Sequence, residues 1–202
     1  MPTVLEPIRL TPERAPNPVR WTWQQCRAMQ ESEILAGRYE LIEGEIILKM
    51  GQKRAHALVI IRLTAWLISL FGAPFVQFQL PIRVAGRDRD TSEPEPDAAV
   101  LTRPAGDFEE TPEATFVSLI IEASDTTLRF DRSTKAALYA RNNIAEYWVI
   151  DIEGRQIYTH RHPLADGYAE VVVYSAGEQI ATLARPEAPI AVDELLPPIA
   201  AA

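Results

Sequence analysis

The run Phe116 to Ile121, F-V-S-L-I-I, is almost wholly apolar and closes on Glu122. A run of that length and character reads as a central strand buried on both faces. Such a strand needs cover above and below, which points to a sheet layered between helices. The period-two rule puts Phe116, Ser118, Ile120 and Glu122 on one face. The run ending on an acid adds a second constraint. A carboxylate on a buried strand costs several kcal/mol unless it is paired or bound to a cation, roughly that much per ion.

Two further segments supply matching groups. Asp97 opens a second apolar run, Ala98 to Leu101, after the segment S-E-P-E-P. Lys135 lies on the stretch Asp131 to Asn142, which reads as a helix, and Asp131 and Lys135 share a face at a separation of four. The segment E-Y-W-V-I-D-I, Glu146 to Ile152, follows as another strand. Strands joined across one loop tend to pair, so Asp97 and Glu122 can meet. Magnesium prefers oxygen ligands and keeps several waters, so two carboxylates are enough to hold it beside a phosphate. The backbone carbonyl of Ala123 is a further oxygen within reach. A lysine beside such a site can orient a water or steady charge developing in the transition state.

The remaining pattern fits one domain around this centre. Thr22 caps a helix running to about Glu33, and Gly37 stops it. Y-E-L-I-E-G-E-I-I-L-K, from Tyr39, reads as two short strands around Glu43-Gly44. Lys53 to Leu70 is a helix, with Leu58, Ile61, Ala65 and Ile68 repeating at threes and fours. Phe75 to Val84 alternates as a half-buried strand, with Pro81 marking an edge or bulge. Gly86 to Ser92 and Thr102 to Ala114 are polar loops. Gln156 to His160 and Ala169 to Tyr174 are later strands joined through Asp166-Gly167, and a helical turn lies near Asp193 to Leu196. The domain therefore spans residues 21–196, between a proline-rich N-terminal arm, residues 1–20, expected to be flexible, and a tail, residues 197–202.

The chain has 202 residues and a net charge of -8, which argues against coating nucleic acid by bulk attraction. A nuclease remains compatible, because local arginines and a bound cation set the field at a cleft. Cys26 is the single cysteine, so no intramolecular disulfide forms and a reducing compartment is expected. Ala57 to Phe71 is interrupted by Arg62 and reads as too short for a membrane span. The first ten residues lack the basic start and apolar centre of a signal peptide, so the cytoplasm is expected. No P-loop and no G-x-S-x-G elbow occurs. His160 and His162 are spaced to share a strand face, but with no matching cysteine or third histidine a zinc site is not supported. Tyr147-Trp148 reads as core packing.

P-D-A-A-V-L, then L-I-I-E-A-S-D-T-T-L-R-F-D-R-S-T-K-A-A-L-Y-A-R-N-N-I-A-E-Y-W-V-I-D, resembles the Uma family of endonucleases, assigned to the PD-(D/E)xK superfamily. Y-E-L-I-E-G-E-I and the helix with His56 belong to the same resemblance, which runs from about Trp21 to Leu196. It implies an α/β (α+β) restriction-endonuclease-like core, a central mixed sheet flanked by helices. It also implies cleavage of DNA with magnesium or manganese. Asp97 matches the motif aspartate and Glu122 the second acid. Ser124 stands where the superfamily's usual lysine would be, and Lys135 fits the place on the next helix where this family carries it. Ala123 replaces a more usual valine, and Asn142-Asn143 a common Ala-Gly.

The resemblance implies catalytic roles for Asp97, Glu122 and Lys135, with metal held by Asp97, Glu122 and the Ala123 carbonyl. Taken alone, Lys135 is a solvated helix lysine paired with Asp131. Glu43 and Glu45 flank a turn and read as a solvated hairpin, with Glu45 as a candidate for an additional metal or support role and Glu43 as a further supporting candidate. His56 reads as a surface histidine, with phosphate or metal contact as the alternative. Asp131 and Ser124 are further supporting candidates. Arg83, Arg87, Arg89, Arg129 and Arg132 are candidates for the DNA backbone or simply exposed loop charges. Two rival functions stand beside the endonuclease. One is a catalytically inactive nucleic-acid-binding or assembly module on the same fold. The other is a glycoside hydrolase using Asp97 and Glu122, which gives Lys135 no part. A homodimer is expected, since enzymes that cut duplex DNA pair two sites across a twofold axis.

Overall fold

The structure, a computed structural model, describes residues 18–49 and 51–198. Most of the expected N-terminal arm and of the tail lies outside them.

A six-stranded mixed sheet forms the centre, in the order β3 (Val76–Phe78), β4 (Ala98–Leu101), β5 (Val117–Ser124), β6 (Glu146–Asp151), β7 (Gln156–Leu164) and β8 (Gly167–Ser175). Only β5 and β6 run parallel. Their crossover is α3 (Leu128–Phe130), a π-helical turn at Asp131–Lys135, and α4 (Ala136–Arg141). Alternation along β5 and β6 sorts the core into two layers. Leu119, Ile121, Ala123, Trp148 and Ile150 face α2 (Arg54–Phe71) and α5 (Val192–Leu195). Ile120, Tyr147 and Val149 face Ala136 and Tyr139 of α4. The two-sided burial expected over Phe116 to Ile121 holds from Val117, since Phe116 is half-buried and closes a 3-10 turn, and the strand continues through Glu122 to Ser124.

Three smaller elements attach to this core. α1 (Trp23–Glu31) starts in a capping box of Thr22 with Gln25. β1 (Tyr39–Ile42) and β2 (Glu45–Leu48) form a separate hairpin. β9 (Gln179–Ile180) and β10 (Ile190–Ala191) pair near the C-terminus.

The structure corrects several sequence readings. The strand expected over Phe75 to Val84 ends at Phe78. Gln79 takes a positive φ of 50° and turns its N–H to the carbonyls of Pro96 and Asp97. Pro81 then removes a ladder donor. In α2 the buried stripe is Val59, Leu63 and Leu67, while Ile61 and Ile68 lie exposed. The helix is apolar on several sides, so its pattern did not single out the face that meets the sheet. At 18 residues α2 is also long and apolar enough to cross a membrane by length and composition. Here that buried stripe packs on the sheet. The helix expected from Asp131 begins at Leu128 and carries the π turn. Of the two histidines spaced along β7, His160 is buried, whereas His162, with a φ of 59°, is exposed.

Candidate active site

Register brings the two acids together. In the antiparallel pair of β4 and β5, Ala98 stands opposite Ile121, so the next step outward sets Asp97 beside Glu122. The Ala123 N–H donates to Asp97 Oδ2 at 2.9 Å. The crossover then carries Lys135 back over β5, where its Nζ lies 2.9 Å from Glu122 Oε1. Tyr139, one helical turn further, donates its hydroxyl to the same Oε1 at 2.9 Å. Asp97, Glu122, Ala123, Asp131, Lys135 and His56 all line one cleft of about 490 Å³.

Each acid commits one oxygen to protein donors. Asp97 Oδ2 takes Ala123 N–H and meets His56 Nε2 at 3.2 Å, whereas Oδ1 has only a long contact of 3.4 Å from the Gln79 amide. On Glu122, Lys135 and Tyr139 both donate to Oε1, so Oε2 carries neither bond. The donor set is thus hard oxygen, the chemistry magnesium or manganese prefers, with one oxygen of each acid held less tightly than the other. Among the described residues, no three His, Cys, Asp or Glu side chains are already gathered at metal-binding distance.

Buried carboxyl groups outnumber the buried ammonium here, and their burial and crowding favour protonation. Burial pushes Glu122 up to about 8, against the pull of Lys135, with Asp97, Asp131 and Glu40 adding to the rise. Burial alone would lower Lys135, but Glu122, Glu40 and Asp131 outweigh it and hold the ammonium charged, well above its ordinary range. Burial also raises Asp131. Asp97 goes the other way: burial would raise it, and the His56 hydrogen bond and charge bring it below the ordinary carboxylate value. Three buried carboxylates around one ammonium suit an added cation.

The sequence candidates divide clearly. Asp97, Glu122 and Lys135 converge, and Lys135, only 4% exposed, is no solvated helix lysine. His56 is not a surface residue either: it is half-buried against Asp97, with Nδ1 buried and without a hydrogen-bond partner among the described residues. Asp131 lies in the cleft 3.9 Å from Lys135 and accepts the Thr127 hydroxyl at 2.6 Å. Ser124 is buried behind it, 3.4 Å from Thr127. Glu45 sits on the exposed side of the hairpin, paired with Arg20 at 3.1 Å, and does not reach the cleft. Glu43 turns to Arg141 at 2.6 Å, in a second network with Asp88.

None of the five arginines lines the cleft with the acids. Arg83 pairs with Glu110 and Arg87 with Asp166, and both line a second cleft together with Arg89 and Arg141. Arg132 stacks on Tyr158, its guanidinium carbon 3.7 Å from the ring centroid, and Arg129 is exposed on α3. Loop and helix-end geometry turned these charges away from Asp97.

Glu40 and Tyr139 were missed. Glu40 Oε1 stands 2.8 Å from Lys135 Nζ, and Glu40 is 5% exposed. Its signal was available: in Y-E-L-I it alternates with Ile42 on the inward face of a short strand, where an acid needs a partner. Tyr139 lies four residues after Lys135, on the same helix face. Lys49 and Lys53 also line the cleft, held by Glu95 and Asp125 at 2.9 Å each.

The model of one protein family, Uma2, described as "Putative restriction endonuclease", matches residues 23–192. Among solved structures, the chain is similar to "a putative nuclease belonging to DUF820" from Anabaena variabilis. The TM-score is 0.62 at 15% sequence identity, over 88% of this chain and 97% of that one. That likeness establishes a shared fold. No protein with a curated description matches the chain.

Proposed function

Since the chain belongs to the Uma2 family, whose restriction-endonuclease-like character implies a nucleic-acid substrate, we propose that it is a divalent-metal-dependent endonuclease hydrolysing phosphodiester bonds of DNA. The observation that carries this reading is the meeting of Asp97, Glu122 and Lys135 in one cleft, with Lys135 Nζ 2.9 Å from Glu122.

Asp97 Oδ1, Glu122 Oε2 and the Ala123 carbonyl are the oxygens that would hold magnesium or manganese. Such an ion supplies charge neutralisation at the phosphate and makes water more acidic for attack. The chain's own residues do the rest. His56 and the Ala123 N–H fix the Asp97 carboxylate from one side. Tyr139 fixes Glu122 from the other. Lys135 orients the attacking water and steadies charge that develops in the transition state. Lys49 and Lys53 on the wall offer positive charge to the flanking phosphates. A homodimer with two such clefts would serve the two strands of a duplex, and a light-scattering concentration series tests it.

The deciding experiment is plasmid cleavage with magnesium or manganese by Asp97→Ala and Glu122→Gln. Both variants should lose cleavage, and both should lose the rise in melting temperature that manganese gives the wild type. At a hundredfold excess over Kd that stabilisation is about 2.7 kcal/mol. Cleavage surviving in both variants rejects the mechanism. One observation favours the rival, an inactive nucleic-acid-binding or assembly module: a lysine already fills the space between Glu122 and Glu40. DNA binding without manganese binding in calorimetry, and without cleavage, would select that reading.

A further inference from the structure

Lys135 has two close anchors. Its Nζ lies 2.9 Å from Glu122 Oε1 and 2.8 Å from Glu40 Oε1. An ammonium has three N–H groups, so these two ion pairs leave a third, whose nearest remaining carboxylate is Asp131 Oδ1 at 3.9 Å. Glu122 is also one of the two acids offered to a cation in the preceding proposal, on which the present one rests. An ammonium held by Glu122 Oε1 alone would be held more weakly once an ion on Oε2 drew on the same carboxylate's charge.

Glu40 is built to stay. Its Oε2 accepts the backbone N–H of Glu95 at 3.3 Å, so both oxygens are engaged. β1 fixes its backbone, with Glu40 opposite Ile47 and Leu41 bridged to Glu93. The hairpin lies along the crossover helix at three successive points: Glu40 on Lys135, Ile42 in one buried cluster with Leu138, and Glu43 on Arg141. Residues 135, 138 and 141 share one helical face. The hairpin therefore cannot shift without breaking two ion pairs and an apolar contact.

A buried carboxylate–ammonium pair is weak evidence of stabilisation, since apolar residues of similar volume often do as well. The placement of this one in a cleft wall calls for another explanation. We propose that Glu40 is a positioning residue: it holds the Lys135 ammonium in register while Glu122 engages the metal, and so keeps the third N–H aimed into the cleft.

The test is a double-mutant cycle of Glu40→Gln and Lys135→Met in the full chain, read by plasmid cleavage with magnesium and by calorimetry with manganese alone. Glu40→Gln should lower kcat by about 10- to 100-fold, the range for groups that orient a metal site, with KM for DNA unchanged. It should also weaken manganese binding about 10-fold, because the unanchored ammonium stays on Glu122 and competes. In the Lys135→Met background, Glu40→Gln should change neither quantity. Equal losses in both backgrounds, or wild-type values in Glu40→Gln, overturn the proposal. Should Lys135→Met fail to fold, Glu40→Asp takes its place. It keeps the charge and withdraws it by one methylene, so a fall in kcat supports positioning and a wild-type kcat overturns it. A wild type that neither binds manganese nor cleaves would remove the endonuclease reading beneath. A wild type that does both, with an indifferent Glu40, would remove only this inference.

Discussion

Burying an ammonium is unfavourable unless carboxylates surround it, and Lys135 has Glu122, Glu40 and Asp131 around it. Lys135→Met would leave those acids without their cation in a low-dielectric wall. The expected loss is about 3–5 kcal/mol, the usual effect of breaking a buried pair by removing one partner. Chemical denaturation at neutral pH checks it. At this scale the sequence was informative for acids on apolar strands and weak for the lysine. Asp97 and Glu122 stood out because a charged residue beside an apolar run needs explanation. Lys135 in D-R-S-T-K-A-A-L looked solvated, and only the family pattern picked it out. Its burial depends on β1 covering it, which no local window contains. His56 was misjudged for the same reason: its partner Asp97 is 41 positions away.

The β1–β2 hairpin is the element that converts local sequence into site geometry. Its turn has positive φ at both Glu43 (50°) and Gly44 (79°), the pattern of a two-residue hairpin loop. A Cβ at Gly44 would come within 2.7 Å of the Arg20 side chain. Gly44→Ala should therefore cost about 1–2 kcal/mol for the left-handed backbone alone, with the clash added. Because Glu40 rides on the same hairpin, manganese affinity should fall in parallel although Gly44 touches nothing in the cleft. Thermal melts and calorimetry on the one variant check both effects. The hairpin, β5 and β6 were legible because their turn chemistry and apolar runs are local. β3 and the inward face of α2 were not. Gln79 leaves the strand to meet Pro96 and Asp97, and α2 presents Val59, Leu63 and Leu67 instead of the equally apolar Leu58, Ile61 and Ile68.

Across the whole molecule, the two-sided sheet buries titratable groups well away from the cleft, and His160 is the clearest. It is held between Tyr147 and Tyr168, with ring centroids at 5.2 and 5.7 Å. Burial pushes its pKa down from 6.5 to about 4, helped by Arg132. The folded protein thus keeps His160 neutral where the unfolded chain already takes a proton. Stability from this group is fully present above about pH 6.5 and is lost as the pH falls towards 4. The loss is on the order of 3 kcal/mol at about 1.4 kcal/mol per pH unit. Denaturation midpoints from pH 7 to pH 4 should show this slope in the wild type, and His160→Gln should flatten it.

The sequence alone determined the layered α/β core, because a strand apolar on both faces admits few other surroundings. It also marked two acids as too costly to leave unexplained. Tertiary structure decided which charges meet. Register set Asp97 beside Glu122, the crossover brought Lys135 over β5, and the hairpin added Glu40 from 95 positions away. The arginines were sent elsewhere by the same loops. Hydrophobic burial is written residue by residue and can be read in short windows. Pairing of buried charges depends on distances between segments far apart in the chain, and those exist only once it has folded.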